Sequence, residues 1–384
     1  MPVHLKPIEE QVIVITGATS GIGLVTARMA AAQGAHVVLA ARDRDALAQV
    51  AEEIRHDGGT AVHCVADVAD EEAMRRVADT AIRAFGGFDT WVNNAGVSIY
   101  GRIEEISMED HRRLFETNYW GTVIGSLVAL RHLRQHGGAL INVGSVVSER
   151  AIPLQGPYSA TKHAVKGFTD ALRMEVETDG APVSVSLIKP ATIDTQFEEH
   201  GKNTMDSEPV NPPPVYAPEL VAQAILHAAQ TPVRDLIVGG SGKLFQWGER
   251  YMPRLTDRVM ERFVTRYQRS GGPRQEHGDS LWHPSGHDHE ERAGRHSFVR
   301  ETSVYTQAQM HPWVTTAVFA GLGALAVAAY AGKLPTGRRR QPMRLLEDKR
   351  ARRGYTRRSD VEEFGHNAKP AEQAAAEGTV TFAR

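Results

Sequence analysis

Ser145, Tyr158 and Lys162 lie close together in the middle of the chain and carry groups that can bind and move a proton. The four-residue step from Tyr158 to Lys162 places both side chains on one face of a helix, one turn apart. A phenol ordinarily titrates near pH 10, and a neighbouring ammonium favours its ionised form. The pattern predicts a proton-transfer site in which Lys162 lowers the pKa of Tyr158.

The elements around these residues are consistent with such a site. The apolar run 139–143 predicts a strand that ends just before Ser145, and a helix is predicted from Tyr158 to Thr178. Two other interpretations stay open at this point. Tyr-x-x-x-Lys is frequent on solvated helix surfaces, and Ser145 or its neighbour Ser148 can cap a turn.

A glycine-rich turn near the start of the chain favours the chemical interpretation. Residues 12–15 are apolar and β-branched, as in a buried parallel strand, and they lead into Thr-Gly-Ala-Thr-Ser-Gly-Ile-Gly at positions 16–23. A predicted helix follows from about Ile22 to Gln33, so unpaired N–H groups would face a pyrophosphate. Gly17 allows the tight turn, whereas Gly21 and Gly23 allow close backbone approach. The alternative is an ordinary turn, but a further predicted strand at 36–40 favours a dinucleotide site.

Three motifs together resemble the short-chain dehydrogenases/reductases. The turn at 16–23 matches their Thr-Gly-x-x-x-Gly-x-Gly, residues 93–96 match their Asn-Asn-Ala-Gly segment, and residues 158–162 match their Tyr-x-x-x-Lys. Ser145 stands thirteen positions before Tyr158, as the family pattern requires. The resemblance covers about residues 8–240. It implies an α/β fold with a Rossmann-type, doubly wound parallel sheet, and an NAD(P)-dependent oxidoreductase.

The resemblance also implies roles for individual side chains. Tyr158 would be the acid/base that exchanges a proton with a carbonyl or alcohol oxygen, and Lys162 would lower its pKa and hold the nicotinamide ribose. Ser145 would hydrogen-bond the substrate oxygen, and Asn118 would support a water-mediated proton relay. The hydride belongs to the cofactor. Asn118 has a plain alternative as a polar residue in a helix predicted over 114–132.

A larger set would bind the cofactor by the same resemblance. It consists of Gly17, Thr19, Ser20, Gly21, Ile22, Gly23, Arg42, Asp67, Val68, Asn94, Ala95, Gly96, Tyr158, Lys162, Pro190, Thr192 and Ile193. Asp67 and Val68 match a pair that contacts adenine, although Asp67 is equally suited to cap the helix predicted near Glu71. Ala191 stands where the family usually has glycine.

Cofactor choice depends on the end of the second strand. Ala41 stands at the position of the carboxylate that binds the ribose of NAD, and Arg42 follows it, which favours NADP(H). Asp43 is better explained as the start of the next helix. No basic residue occurs at 18–20, so one frequent NADP feature is missing, and NAD(H) is the alternative.

Composition limits the organisation and the partners of the chain. The 384 residues exceed one dinucleotide-binding domain, which we place at 8–242 with seven strands and helices on both faces. The predicted strands are 12–15, 36–40, 61–65, 90–93, 139–143, 183–188 and 235–238. A net charge of −2 gives no support for nucleic acid as a partner, and the single Cys64 excludes an internal disulfide. No secretory signal is recognisable, so a reducing, cytoplasmic location is expected.

The remainder of the chain changes in character. Residues 243–269 predict a helical extension packed on the domain, broken near Pro253, and residues 270–311 predict a polar linker. The linker contains His277, His283, His287, His289 and His296, but no spacing that fixes a coordination geometry, and we predict no metal site. Residues 198–214 end in a proline run and match the family's substrate-covering region.

Residues 312–333 predict a candidate membrane helix, because Trp313 to Gly332 contains no charged residue. Alanine and glycine make its insertion marginal, and a helix packed on protein is the alternative. Residues 334–384 are basic and predicted to be disordered. The basic flank favours the cytoplasmic side, so attachment at the cytoplasmic face is expected, with the topology open.

These features predict an oxidoreductase that interconverts a carbonyl and an alcohol with NADP(H), with Tyr158 as acid/base. The substrate is expected to be a small molecule or lipid-like, the latter on the strength of the tail alone, and the family resemblance implies a homo-oligomer. Two other functions remain possible from the sequence. One is a non-catalytic binding protein that responds to a nucleotide, and the other is an NAD-dependent alcohol dehydrogenase.

Overall fold

A seven-stranded parallel sheet forms the centre of the computed structural model, which describes residues 3–240, 243, 247–248, 250–274, 278–284, 289–296 and 298–333. The strands are β1 Val12–Thr16, β2 His36–Ala41, β3 Thr60–Val65, β4 Thr90–Asn93, β5 Gly138–Val143, β6 Val183–Pro190 and β7 Asp235–Val238. Their order across the sheet is β7, β6, β5, β4, β1, β2, β3. All seven predicted strands are confirmed, with ends that differ by at most two residues.

Helices cover both faces of the sheet. In the domain these are α1 Gly21–Ala32, α2 Arg44–His56, α3 Glu71–Phe85, α4 Met108–Phe115, α5 Gly121–His136, α6 Gly156–Thr178, α7 Phe197–His200 and α8 Pro218–Gln230. Alternate residues of β1 enter two separate cores, Ile13 and Ile15 on one face and Val12 and Val14 on the other. Because both faces are buried, the strands are apolar along most of their length, as a doubly wound sheet requires.

The order of the strands reverses between β1 and β4. β1 pairs on one side with β2, Ile13 opposite Val37, and on the other side with β4, Ile13 opposite Thr90. The connections after these two strands therefore leave in opposite directions and open a crevice at their carboxyl ends, where ligands bind in such sheets. The glycine turn and the Asn-Asn-Ala-Gly segment both lie at this crevice, as expected.

Two helix starts resolve alternatives that the sequence left open. Asp43 caps α2, its carboxylate accepting from the N–H of Ala46 at 2.9 Å, as predicted. The cap of α3 is Asp70, whose carboxylate accepts from two N–H groups of the first turn. The capping alternative for Asp67 was therefore wrong, and Asp67 lines the crevice instead.

Among the described residues, the C-terminal region continues as further helices. They are α9 Pro253–Val259, α10 Thr265–Gln268, α11 Val304–Met310 and α12 Pro312–Lys333. A short strand, Val299–Arg300, pairs in parallel with Val215–Tyr216 just before α8. The chain divides into a unit of residues 1–325, which holds the sheet, and a unit of residues 326–384, of which residues 326–333 are described. The predicted tail at 334–384 lies outside the described residues.

The prediction of a membrane helix at 312–333 gains no support from the structure, although α12 is a helix there. No single helix among the described residues is both long and apolar enough to cross a membrane. By length and composition, α11 and α12 meet that condition only together, up to Val327, and they are bent by 111° at His311.

Candidate active site

The glycine turn is shaped by contacts that only glycine allows. Gly17 has a φ of +63°, and a Cβ on Gly23 would lie 1.9 Å from the Gly17 carbonyl oxygen. Asn94 closes the turn from β4, its side-chain amide donating to the carbonyls of Thr16 at 2.9 Å and Gly17 at 3.1 Å. Gly23 thus lets the turn pack on α1, and its predicted part in binding the cofactor stays a prediction.

Ser145 follows β5 directly and has two tasks. Its hydroxyl accepts from the N–H of Val147 at 3.2 Å, and its own N–H donates to the Ser148 hydroxyl at 3.2 Å, which fixes the turn at 146–148. The Ser145 hydroxyl also hydrogen-bonds Tyr158 and so opposes the rise in that phenol's pKa. The capping role and the catalytic position predicted for Ser145 are therefore compatible.

Tyr158 and Lys162 lie together on α6, as the four-residue spacing predicts. The ammonium of Lys162 donates to the Val143 carbonyl at 2.9 Å and lies 5.8 Å from the centre of the Tyr158 ring. Both side chains are buried, and burial disfavours the charged form of each. It lowers the pKa of Lys162 to about 8 and raises the pKa of Tyr158 above its ordinary value. The Tyr158 pKa is therefore raised in the protein alone, not lowered as expected, because burial outweighs the opposing hydrogen bond from Ser145.

Asn118 lies in a wide helical turn, Glu116–Trp120, which joins α4 to α5. Its amide oxygen accepts from the N–H of Val97 at 2.9 Å, and its amide nitrogen donates to the Val97 carbonyl at 2.9 Å and to the Thr161 hydroxyl at 3.1 Å. The side chain thus ties the segment after β4 to α6. A water relay through Asn118 stays a prediction.

One cavity connects the glycine turn with the catalytic side chains. Its wall includes Ser145 and every predicted cofactor residue except Gly23, which is packed under the turn. Asn118 lies behind the wall. Gly96 lies at the centre of the cavity wall. Its lack of a side chain keeps the space in front of Lys162 open, since a Cβ there would lie 3.6 Å from the Lys162 ammonium. The turn, the side chains after β4 and the proton-bearing groups therefore face one elongated space.

Arg42 and Asp67 line the end of the cavity next to β2 and β3, and Arg113 pairs with Asp67 beside it. Asp67 pairs with Arg113 at 2.6 Å and accepts from the N–H of Ala69 at 3.0 Å, and with the charge of Arg42 these contacts lower the Asp67 pKa although burial opposes them. No sequence pattern indicated Arg113, because it comes from α4 and forms no motif with the residues that it contacts. Arg42 lines the cavity as predicted.

Comparisons with known proteins agree with this geometry. A family model described as short chain dehydrogenase matches residues 11–206. The uncharacterized oxidoreductase YxnA of Bacillus subtilis is 45% identical over 327 residues, which cover 84% of this chain and 92% of that protein. The chain belongs to the short-chain dehydrogenase/reductase family.

Solved structures of short-chain dehydrogenases/reductases share the fold. A member from Burkholderia phymatum in complex with NAD superposes with a TM-score of 0.60 at 25% identity, over 65% of this chain and 96% of that one. An alcohol dehydrogenase from Thermococcus sibiricus complexed with 5-hydroxy-NADP has a TM-score of 0.53 at 28% identity, over 59% of this chain and 95% of that one. Both of these solved relatives hold a nicotinamide dinucleotide.

The residues present fit such a cofactor. The glycine turn and the N-terminus of α1, which favours an anion, line the cavity, which runs from there past Gly96 to Tyr158. The N–H groups of Gly17 and Gly21 themselves donate to the Ala40 and Glu290 carbonyls. Asn94, which is part of the wall, and Gly23, which is packed under the turn, hold the turn in this shape. Metal chemistry has no comparable site, since the described residues contain no group of three or more His, Cys, Asp or Glu suited to a metal ion.

The far end of the cavity in this dehydrogenase/reductase contains residues that no motif indicates. Glu198 is buried in α7 with 8% of its surface exposed, and its carboxylate accepts from the N–H of Asn211 at 3.1 Å. Burial raises the pKa of Glu198 to about 7. The Asn211 side chain accepts from Gln155 at 2.9 Å. Sequence reasoning placed a substrate cover here but could not single these residues out, because their burial depends on how the loop folds.

Proposed function

We propose that this protein is an oxidoreductase that interconverts a carbonyl and an alcohol with NADP(H), using Tyr158 as the acid/base. The observation that carries the proposal is the meeting of Ser145, Tyr158 and Lys162 at the cavity that also contains the glycine turn. A proton-bearing phenol beside a dinucleotide site is the arrangement that carbonyl reduction needs.

The side chains would divide the work as follows. A bound nicotinamide dinucleotide supplies or accepts the hydride. The Ser145 hydroxyl holds the substrate oxygen next to the Tyr158 phenol, to which it is already hydrogen-bonded. Tyr158 stays protonated at neutral pH because burial raises its pKa, so it gives its proton to a carbonyl oxygen on which negative charge develops. Lys162, fixed by the Val143 carbonyl, places a positive charge beside that phenol.

The choice of NADP(H) rests on Arg42. It follows Ala41 at the end of β2 and lines the cavity there, where a guanidinium is suited to a 2′-phosphate and a carboxylate would suit a 2′-hydroxyl. Arg113 adds a second positive charge nearby. NAD(H) is the competing cofactor, and comparing the two affinities decides between them.

The substrate end favours an apolar molecule. Its wall combines apolar side chains with a few polar groups; the apolar ones are Val146, Val147, Ile152, Phe197, Met260 and Val264. Phe197 packs against Tyr158, with 5.4 Å between ring centres. Polar residues also line this space, among them Arg150, Gln155 and Glu198. We infer a largely apolar aldehyde, ketone or alcohol, in agreement with a lipid-like substrate.

A cofactor-oxidation screen tests this function. Purified protein is mixed with NADPH or NADH and panels of aldehydes, ketones and quinones, and with NADP or NAD and alcohols, with and without lipid vesicles. Turnover of at least one apolar carbonyl with NADPH is expected. If the protein binds NADPH but oxidises it with no member of the panels, the non-catalytic binding protein becomes the better account.

Two further features remain proposals. Trp120, Leu127 and Met174 are exposed apolar residues around α5 and α6, which supports a homo-oligomer formed through these long helices. Exposed apolar side chains also lie along α12, among them Phe319 and Leu322. Attachment to a membrane through α12 stays a prediction, and co-sedimentation with vesicles of the parent chain and of a chain ending at Arg300 tests it.

A further inference from the structure

A turn from the C-terminal region contacts Arg42, in the cavity wall next to β2 and β3, and Arg113 beside that wall; adenosine would bind at this end. Arg42 donates to the backbone carbonyls of Ser280, Leu281 and Trp282, the last two at 3.4 Å. The Nε of Arg113 donates to the Leu281 carbonyl at 3.0 Å, and its guanidinium carbon lies 5.7 Å from the centre of the Trp282 ring. Residues more than 165 positions away in the sequence thus fix the charged wall of the cofactor site.

This turn is anchored by packing and by a hydrogen bond. Leu281 is fully buried and belongs to the apolar cluster that contains Leu114 and Tyr158. The indole nitrogen of Trp282 donates to the carboxylate of Asp110 at 3.0 Å. The turn is therefore part of the folded domain, which its polar surroundings in the sequence did not indicate.

A second stretch of the same region lies on the glycine turn. The N–H of His289 donates to the Thr19 carbonyl at 2.9 Å, and the N–H of Gly21 donates to the Glu290 carbonyl at 3.0 Å. The Gln196 amide donates to the Glu290 carboxylate at 2.7 Å. We call residues 279–284 and 289–292 the C-terminal cover.

The C-terminal cover adds to the wall of the cavity without filling it. Ser280 and Pro284 line the same space as Gly17 and Ile22 at the glycine turn. The two stretches contact opposite sides of the adenosine half, one at Arg42 and the other at Gly21. A dinucleotide bound beneath them would have to pass this cover on its way in and out.

We propose that the C-terminal cover is part of the cofactor site and controls how fast the dinucleotide associates and dissociates. This inference rests on the proposed binding of a nicotinamide dinucleotide and adds a step to it, the opening of the cover. Opening breaks the Trp282–Asp110 hydrogen bond and frees the Arg42 and Arg113 guanidiniums from their carbonyls. Segments that move in this way set the turnover of many enzymes.

Stopped-flow fluorescence of NADPH and NADH tests the cover without any substrate. The variants are Trp282→Ala, which removes both the bond to Asp110 and the ring over Arg113, and Trp282→Phe, which keeps a ring and removes only the bond. Trp313→Ala is the matched control, since Trp313 is 86% exposed and lies outside the cavity wall. Thermal unfolding and hydrogen exchange over β1 to β4 establish that each variant is folded.

For Trp282→Ala, the association and dissociation rate constants of the dinucleotide should both rise about tenfold, because the cover hinders entry and exit alike. Trp282→Phe should lie between Trp282→Ala and the parent, and Trp313→Ala should equal the parent. An unchanged association rate in folded Trp282→Ala overturns the inference, even if dissociation becomes faster, because a mere contact residue acts on dissociation alone. A parent that binds neither dinucleotide refutes the proposed function and this inference together, whereas unchanged rates in the variants refute only the cover.

Discussion

The buried Glu198 makes the free energy of unfolding depend on pH, and the size of this effect follows from its pKa in the structure. Burial beside Asp194 raises its pKa from an ordinary 4.5 to about 7, against the opposing effects of Asn211 and Arg295. Between these two pH values the folded protein binds more protons than the unfolded chain, so the free energy of unfolding falls as the pH rises. The difference in pKa corresponds to about 3 kcal/mol in total, of which about 2 kcal/mol is lost between about pH 5.5 and pH 8.

Glu198→Gln should remove this loss, because glutamine resembles the protonated carboxyl group and still accepts from the N–H of Asn211. Urea unfolding at about pH 5.5 and about pH 8 gives the loss in free energy of unfolding between these pH values for each protein. The loss in the parent should exceed that in the variant by about 2 kcal/mol. Glu175→Gln, which changes an exposed glutamate of α6, is the matched control and should behave like the parent. If the parent and Glu198→Gln lose equal stability, the buried carboxylate does not titrate as the structure implies.

Three further predictions concern the cofactor and the reaction. Gly23→Ala should weaken binding of both dinucleotides by at least about tenfold, because a Cβ would clash with the Gly17 carbonyl; isothermal titration measures this, and unchanged binding would contradict the packing of the turn. Arg42→Ala should weaken NADPH binding by about tenfold and NADH binding by less than about threefold, and equal losses would argue against recognition of a 2′-phosphate. Ser145→Ala should lower kcat by about a hundredfold with the cofactor Kd nearly unchanged, and a full kcat would exclude its contact with the substrate oxygen.

The fold and most of the site could be predicted from local sequence patterns. Strands such as β1 are predicted by their β-branched residues. The glycine turn predicts a tight bend between strand and helix, and the four-residue step from Tyr158 to Lys162 places both side chains on one helix face. These features depend on neighbours within one or two turns of chain. Even Asp43 could be assigned to a helix cap on that basis, and the structure confirms it.

Features that depend on contacts between residues far apart in the sequence could not be predicted. The pKa of Tyr158 was expected to be low, but its burial among segments far apart in the sequence raises it. Leu281 stands in a polar, histidine-rich stretch, yet it is fully buried beside the active site. Composition describes a segment's average solubility and does not indicate which of its residues contacts a cleft formed elsewhere in the chain.

The central claim is that Tyr158 exchanges the proton beside a bound dinucleotide, and Tyr158→Phe tests it most directly. With any substrate found in the screen, kcat of the purified variant should fall by at least about a hundredfold, while the Kd for NADPH stays within about threefold of the parent value. Turnover equal to that of the parent would contradict the account.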